Sequence, residues 1–181
     1  MNLVRLKADF YQRDVLLVAP ELLGKQLVSL LPDGSILRYP IVEVEAYKGT
    51  DDLACHASKG RTERNKVMFQ QGGLVYVYLI YGMYWMLNIV TSVEGDPEAV
   101  LIRGITGYSG PGKLTKHLGI DKSYYAEDLT SSQRIWIEDA GLAPKIKTTP
   151  RIGIDYAGPY WANIPWRFII DEESGFQMNS F

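Results

Sequence analysis

The sequence is poor in the residues that build disulfides and metal centres. Among 181 residues it has one cysteine, Cys55, and two histidines, His56 and His117. A single cysteine cannot form an internal disulfide, and its scarcity suits a reducing compartment. These three side chains are also too few for a zinc site of the usual ligand types. We therefore expect neither a metal nor another cofactor.

Long apolar runs and low-complexity segments are also missing. No stretch approaches the ~20 apolar residues that span a bilayer, and the N-terminal MNLVRLKADF mixes charged with apolar residues. We therefore expect no signal peptide, no membrane association and an intracellular location. Hydrophobic residues make up 46% of the chain and charged residues 22%, an ordinary globular composition. The length suits one domain over residues 1–181.

An overall positive charge is lacking too, although positive charges cluster locally. The net charge is −2 and the pI about 5.7, which by itself argues against a nucleic-acid-binding protein. Residues 59–66 nevertheless hold four cations and only one acid, Glu63. The four cations are Lys59, Arg61, Arg64 and Lys66, and sparser clusters follow at Lys113, Lys116 and Lys122 and at Lys145, Lys147 and Arg151. A basic face on an acidic body and a solvated surface both agree with this pattern.

Tyrosine is what the sequence has in excess, with 12 residues. Residues 76–88 read YVYLIYGMYWMLN, and the alternation over residues 75–80 predicts a strand with Tyr76 and Tyr78 on one side. Gly82 permits a sharp bend after that strand. Aromatic residues at period two often do no more than pack a core. Rings at the rim of a bend also suit stacking on a nucleobase.

The remaining patterns predict an α+β fold, a single mixed domain with a strand-rich, mainly antiparallel, curved core and peripheral helices. A helix is predicted to end at Gly24 as its C-cap, and PDGS at residues 32–35 indicates a hairpin turn between two strands. The predicted elements around and beyond this turn are strands at 25–31, 36–47 and 99–105, a helix at 113–117, and late strands in PRIGIDYAG and PWRFII.

Two strands carry charged residues in places that suggest chemistry. Alternation places Glu43, Glu45 and Tyr47 on one face of the 36–47 strand. Such a pair of carboxylates is often only a solvated face. A carboxylate beside an aromatic ring also matches a general base or an oxocarbenium-stabilising group in glycosidic hydrolysis. Arg103 lies in an apolar strand, where a guanidinium seldom stays unpaired, so we expect it to meet a carboxylate or a polar ligand.

Four segments together resemble one known family. EVEAYKGTDDLACH, YVYLIYGMYWMLN, AVLIRG and SGPGKL occur in the order found in the alkyladenine (3-methyladenine) DNA glycosylases, also called methylpurine glycosylases. The resemblance runs from about Leu22 through PRIGI and PWRF. It implies a monomeric, monofunctional enzyme that flips alkylated or deaminated purines out of double-stranded DNA and hydrolyses the N-glycosidic bond. One departure is the short connection of residues 105–109, where family members commonly carry a longer helical insertion.

The resemblance also implies roles for individual residues. Glu45 matches the general base that activates the attacking water, and Arg103 matches the partner that positions this water and keeps the carboxylate ionised. The matched substrate-binding residues are Tyr47 and Tyr78, which sandwich the flipped base, His56 at the pocket edge, and Asn88, which screens against the exocyclic amine of guanine. Tyr81 matches a ring wedged into the DNA, with Met83 beside it. We expect Lys59, Arg61, Arg64, Lys66 and Lys113 to contact DNA phosphates.

Charge adds a physical expectation about the substrate. An N-alkylated purine is cationic, so two tyrosine faces should bind it better than a normal base.

Two other functions remain as alternatives. A non-catalytic module could stack bases on the tyrosines, but it would gain nothing from Glu45 beside a polyanion. A carbohydrate hydrolase could use Glu43 and Glu45, but both would approach the sugar from the same side, whereas catalytic carboxylates usually flank the bond.

Overall fold

The computed structural model describes residues 3–171, which form one mixed domain built on a single antiparallel sheet. The strands are β1 Val4–Arg5, β2 Gln26–Leu30, β3 Ile36–Lys48, β4 Val75–Ile80, β5 Tyr84–Thr91, β6 Glu98–Ile105, β7 Tyr108–Ser109, β8 Ile135–Asp139, β9 Ile146–Thr149 and β10 Arg167–Ile170. The α-helices are α1 Ala8–Tyr11, α2 Val15–Leu22, α3 Pro111–His117 and α4 Gly158–Asn163. Short 3₁₀ helices lie at His56–Lys59, Lys66–Phe69, Lys122–Tyr124 and Asp155–Ala157.

The long strand β3 connects the two parts of the sheet. The main path runs β1-β8-β2-β3-β6-β5-β4, with β10 beside β3 and β9, and β7 beside β6. Residues 36–40 of β3 pair with β2, whereas its second half pairs with β6 and β10. Register shifts on either side of Glu43 mark a bulge between these halves. Because a bulge bends a strand and increases its twist, β3 curves the sheet at this point.

The two faces of the sheet carry different residue types around this bend. Val44 and Ala46 point into the main hydrophobic core, to which α2 and α3 contribute residues such as Leu22 and Leu114. Their neighbours Glu45 and Tyr47 point to the opposite face and line a cavity. The period-two alternation of β3 therefore separates the core from the candidate site.

Most of the predicted elements are confirmed, as is the α+β, strand-rich, antiparallel fold. Strand β4 has the predicted bounds, β6 begins one residue early at Glu98, and α3 begins at Pro111 rather than at residue 113. Helix α2 ends at Leu22 with Leu23 as its cap, and Gly24 follows with φ +84°. Among residues 3–171, no helix combines the length and the apolar character that crossing a bilayer requires.

The predicted strand in PRIGIDYAG is wrong. Residues 150–154 form a loop that leads into the 3₁₀ helix Asp155–Ala157. Gly153 has φ +75°, which breaks extended geometry, and the N–H of Ile152 donates to a carboxylate instead of a neighbouring strand. That the domain covers all of residues 1–181 stays a prediction, because residues 1–2 and 172–181 lie outside the described part.

Candidate active site

A cavity of about 310 Å³ opens on the face of the sheet opposite the main core. That volume is in the range of small-molecule sites. Except for Met83, all of the residues predicted to catalyse, to bind the base or to enter the DNA line it. These residues are Glu45, Tyr47, His56, Tyr78, Tyr81, Asn88 and Arg103.

Glu45 lies at the buried end of this cavity, with a side-chain exposure of 0%. One carboxylate oxygen, Oε2, accepts a hydrogen bond from the Tyr47 hydroxyl at 2.8 Å, and Oε1 accepts one from the Ile152 N–H at 2.8 Å. Burial raises the pKa of Glu45 above its ordinary value, although the Arg103 charge and both hydrogen bonds oppose that shift. A raised pKa suits a carboxylate that accepts a proton near neutral pH. A solvated-face interpretation of this residue is therefore wrong.

Glu43 is held by two arginines. Its Oε1 accepts hydrogen bonds from Arg103 Nε at 2.8 Å and from Arg167 Nε at 2.7 Å. The prediction that Arg103 meets a carboxylate is confirmed, but the closer carboxylate is Glu43, and Arg103 Nε lies 3.5 Å from Glu45 Oε1. Arg103 therefore acts on Glu45 mainly through its charge. Because Glu43 is engaged by both guanidinium groups, it is poorly placed to accept a proton from water.

A neutral histidine and two tyrosines form another wall of the cavity. The His56 Nδ1 lies 2.8 Å from the Tyr76 hydroxyl, and the His56 ring centroid lies 4.5 Å from that of Tyr78. Burial, helped by the charge of Arg64, lowers the pKa of His56 to about 4. The imidazole is therefore neutral at neutral pH. Asn88 is buried beside this wall and donates to the Tyr76 carbonyl at 3.2 Å.

The turn between β4 and β5 carries Tyr81 at the cavity mouth. Tyr81 is 85% exposed and Met83 64% exposed. Both central residues of the turn have positive φ, +50° for Tyr81 and +68° for Gly82, and the Met83 N–H closes the turn onto the Ile80 carbonyl at 3.1 Å. A tyrosine in the left-handed region costs roughly 1–2 kcal/mol. Such local strain at an exposed ring is typical of a functional position.

The cations predicted to contact phosphates differ in their surroundings. Lys59 and Arg61 are exposed, whereas Lys66 is partly covered and pairs with Glu63 at 2.8 Å. Lys113 is exposed on α3, which begins at the cavity-lining Pro111. The Arg64 guanidinium lies over the Tyr78 ring, 5.0 Å from its centroid.

A buried ion pair that no sequence pattern indicates lies behind Glu45. Arg151 and Asp52 form two hydrogen bonds, of 2.6 and 2.9 Å, and both side chains have an exposure of 0%. The Arg151 guanidinium also lies 4.8 Å from the Tyr47 ring centroid and donates to the Ala46 carbonyl at 2.9 Å. The pair therefore holds two segments that contact Glu45. One is the strand at Ala46, and the other is the loop at Ile152, which follows Arg151 directly and donates to the carboxylate. Its one sequence signal is an arginine in the apolar segment PRIGI, but the nearby Lys145 and Lys147 make Arg151 resemble a surface cation.

Two features of the described residues limit the chemistry of this cavity. Within residues 3–171, no group of three or more histidine, cysteine, aspartate or glutamate side chains is arranged to hold a metal ion. No lysine occurs among the described residues that line the cavity. The groups that remain for chemistry are the buried Glu45 carboxylate, the Arg103 charge beside it and the aromatic side chains of the cavity wall.

Comparisons with known proteins give one consistent result. A family model described as methylpurine-DNA glycosylase (MPG) matches residues 9–108 and 106–174. A relative from Methanocella arvoryzae is 49% identical over 184 aligned positions, covering 90% of this chain and 90% of its own. Relatives from Legionella pneumophila strain Lens and from the wMel strain of Wolbachia pipientis are 47% and 46% identical, covering 93% and 90% of this chain and 95% and 89% of their own. Each of the three carries the name "Putative 3-methyladenine DNA glycosylase".

Proposed function

Because the chain belongs to the methylpurine-DNA glycosylase family, we propose that it removes alkylated or deaminated purines from double-stranded DNA. The reaction hydrolyses the N-glycosidic bond and starts base excision repair. The observation that carries this proposal is the fully buried Glu45 carboxylate, held by two hydrogen bonds in a cavity walled by tyrosines. Incubation with duplexes that each contain one defined lesion tests it, since a free base should appear only from the lesion duplex.

In the proposed mechanism, Glu45 accepts a proton from water while the water oxygen bonds to C1′ of the flipped nucleotide. The bond between C1′ and the base nitrogen breaks, and its electron pair leaves with the base. A damaged purine that is cationic leaves readily, so the site needs chiefly an activated water. Arg103 supplies positive charge beside the carboxylate and helps position the water. The absence of lysine among the described cavity residues supports a monofunctional, hydrolytic reaction.

Recognition of the flipped base is assigned to the aromatic walls and two polar side chains. Tyr47 and Tyr78 stack on opposite faces of the base, the neutral His56 contacts its edge, and Asn88 excludes the exocyclic amine of guanine. Their presence in one cavity supports this division of roles. The hydrogen bonds that link His56 and Asn88 with Tyr76 also support it, because a pre-organised wall loses little freedom when the base enters.

Binding of the duplex is assigned to the exposed turn and the surrounding cations. Tyr81 enters the stack where the nucleotide was, Met83 lies beside it, and the wedge slows return of the base. Extrusion costs a few kcal/mol and is cheapest at a mispaired base. The residues proposed to contact phosphates are Lys59, Arg61, Arg64, Lys66 and Lys113.

Tyr47→Phe should move the acid limb of the pH–rate profile to higher pH. The Tyr47 hydroxyl donates to Glu45 and lowers the pKa of that carboxyl. Removal of the hydroxyl should raise the pKa of Glu45 further. At a given pH below neutral, a larger fraction of Glu45 is then protonated and unable to accept a proton from water. Base release should approach the wild-type rate at alkaline pH, since the ring still stacks. Profiles of kcat/KM against pH for both proteins measure this shift, and superimposable acid limbs would show that the hydrogen bond does not tune Glu45.

Tyr81→Asn should slow base flipping without lowering the stability of the folded protein. Asparagine followed by glycine is a preferred pair where both central turn residues have positive φ, so the variant should melt at the wild-type temperature or above it. Loss of the ring should slow base release from a fully paired lesion by about tenfold, since stacking of a base on an aromatic side chain contributes ~1–3 kcal/mol. The rate of base release from the same lesion in a mismatch should fall much less, because extrusion of a mispaired base already costs less free energy.

Tyr78→Ala is the matched control for this experiment. It removes a ring from inside the cavity, so paired and mismatched lesions should slow to a similar extent. A 2-aminopurine beside the lesion reports flipping, while quantified free base reports chemistry. If Tyr81→Asn slowed both contexts equally, its ring would have no role specific to extrusion.

A further inference from the structure

Each of the two tyrosines proposed to sandwich the base already contacts a guanidinium group. Arg151 lies 4.8 Å from the centroid of the Tyr47 ring, and Arg64 lies 5.0 Å from the centroid of the Tyr78 ring. Both distances are within the ~6 Å over which a cation and an aromatic face attract each other. A cationic base that stacked on either ring would therefore share it with a second positive charge.

The two arginines differ in how far their charge is neutralised. The buried Arg151 forms two hydrogen bonds to Asp52, so this pair has almost no net charge. Arg64, by contrast, has no carboxylate oxygen within 4.0 Å in the part of the chain that the structure describes. The neighbouring Glu63 is paired with Lys66, and the hydrogen bond that Arg64 donates within the described residues is a long one, of 3.5 Å, to the Leu79 carbonyl.

The position of Arg64 lets its charge act on the cavity without blocking it. Tyr78 lines the cavity and Arg64 does not, so the base need not displace the guanidinium to stack on the ring. The same charge adds to burial in lowering the pKa of His56, whose ring centroid lies 4.5 Å from that of Tyr78. Solvent screens part of the repulsion because Arg64 is exposed, but its guanidinium lies only 5.0 Å from the ring centroid on which a cationic base would stack.

We propose that Arg64 sets the charge preference of the base pocket, disfavouring cationic N-alkylpurines relative to neutral damaged purines such as hypoxanthine. This inference rests on the proposed function and narrows its substrate class. It reverses the expectation from sequence that two tyrosine faces favour cationic bases, because Arg64 opposes cation–π attraction at Tyr78. It also gives Arg64 a role distinct from that of a phosphate contact, which would act on all lesions alike.

Three variants separate these roles on duplexes of one sequence that carry either 7-methylguanine, which is cationic, or hypoxanthine, which is neutral. kcat/KM is measured for both lesions. The value for the cationic lesion divided by that for the neutral lesion is then compared with the same ratio for the wild-type protein. Arg64→Gln should raise this ratio by about two- to fivefold, the range expected for a cation–π contact at an exposed site. Arg64→Lys keeps the charge and should stay closer to the wild-type ratio. Arg61 is an exposed arginine of the same loop, and no ring contact is seen for it among the described residues. Arg61→Gln should therefore lower kcat/KM for both lesions by a similar factor.

The kinetics of the Arg64 variants distinguish a charge effect on the pocket from a phosphate contact. Because Arg64 is exposed, its variants should melt like the wild-type protein. An unchanged or lowered ratio in Arg64→Gln overturns the inference, and an equal loss for both lesions identifies a phosphate contact instead. If the wild-type protein released neither base, the proposed function itself would fail, and the inference with it. Release of both bases with an unaltered ratio in Arg64→Gln would overturn the inference alone.

Discussion

Glu45→Gln should slow single-turnover base release by about 10²- to 10⁴-fold, the usual contribution of a positioned general base. The amide keeps the shape of the carboxylate, can still accept from the Ile152 N–H, and can donate to the Tyr47 oxygen. It cannot take a proton from water. Binding of lesion DNA should therefore stay within a few-fold of wild type, as measured by fluorescence anisotropy on the same duplexes.

Glu43→Gln is the matched control, two residues away on the same strand. Because Glu43 is already engaged by Arg103 and Arg167, its loss should disturb the position of Arg103 but leave substantial activity. If the two variants exchanged behaviours, with Glu43→Gln inactive and Glu45→Gln active, the general base would be Glu43.

Arg151→Met should strongly destabilise the folded protein. It leaves the Asp52 carboxylate buried without its partner, and breaking a buried ion pair in this way typically costs ~3–5 kcal/mol of unfolding free energy. For a domain of this size, the melting temperature should fall by roughly 6–20 °C. Thermal and chemical denaturation followed by circular dichroism measure the loss.

The double variant Arg151→Met with Asp52→Asn should recover part of that loss. Asparagine removes the uncompensated charge, and its oxygen can still accept from the backbone N–H of Lys48 or of Ala54, both of which donate to Asp52. Asp52→Asn is measured alone as well. If the double variant lost as much unfolding free energy as the two single variants lose in sum, the two side chains would not depend on each other for stability.

The candidate site was predictable where its residues lie close together in sequence. Glu45 and Tyr47 are two apart on one strand, so period-two alternation placed them together, and their hydrogen bond confirms it. The resemblance added Tyr78 and Asn88, which line the same cavity. An arginine in an apolar strand predicted a carboxylate partner for Arg103, but composition could not decide between two glutamates. The bulge beside Glu43 and the added guanidinium from β10 settle that pairing.

The contacts behind the site were not predictable in the same way. Asp52 and Arg151 lie 99 residues apart, and neither has a local pattern that indicates the other. The N–H of Ile152 donates to Glu45, and the apolar letters around it resemble a strand although the backbone is a loop. Strand β9 was missed because most of its residues are exposed, so it lacks the apolar alternation that identifies a half-buried strand.

The most direct measurement is the simultaneous detection of the freed base and the DNA product after incubation with a duplex containing one hypoxanthine, in the presence of borohydride. Hydrolysis by a Glu45-activated water predicts free hypoxanthine by mass spectrometry, an equal amount of uncleaved strand with an abasic site, and no protein–DNA adduct. A borohydride-trapped adduct, or a cleaved strand before any alkaline treatment, would contradict a monofunctional hydrolytic mechanism. A duplex that kept its base at stoichiometric enzyme, and did so equally with 7-methylguanine, would contradict glycosylase activity itself.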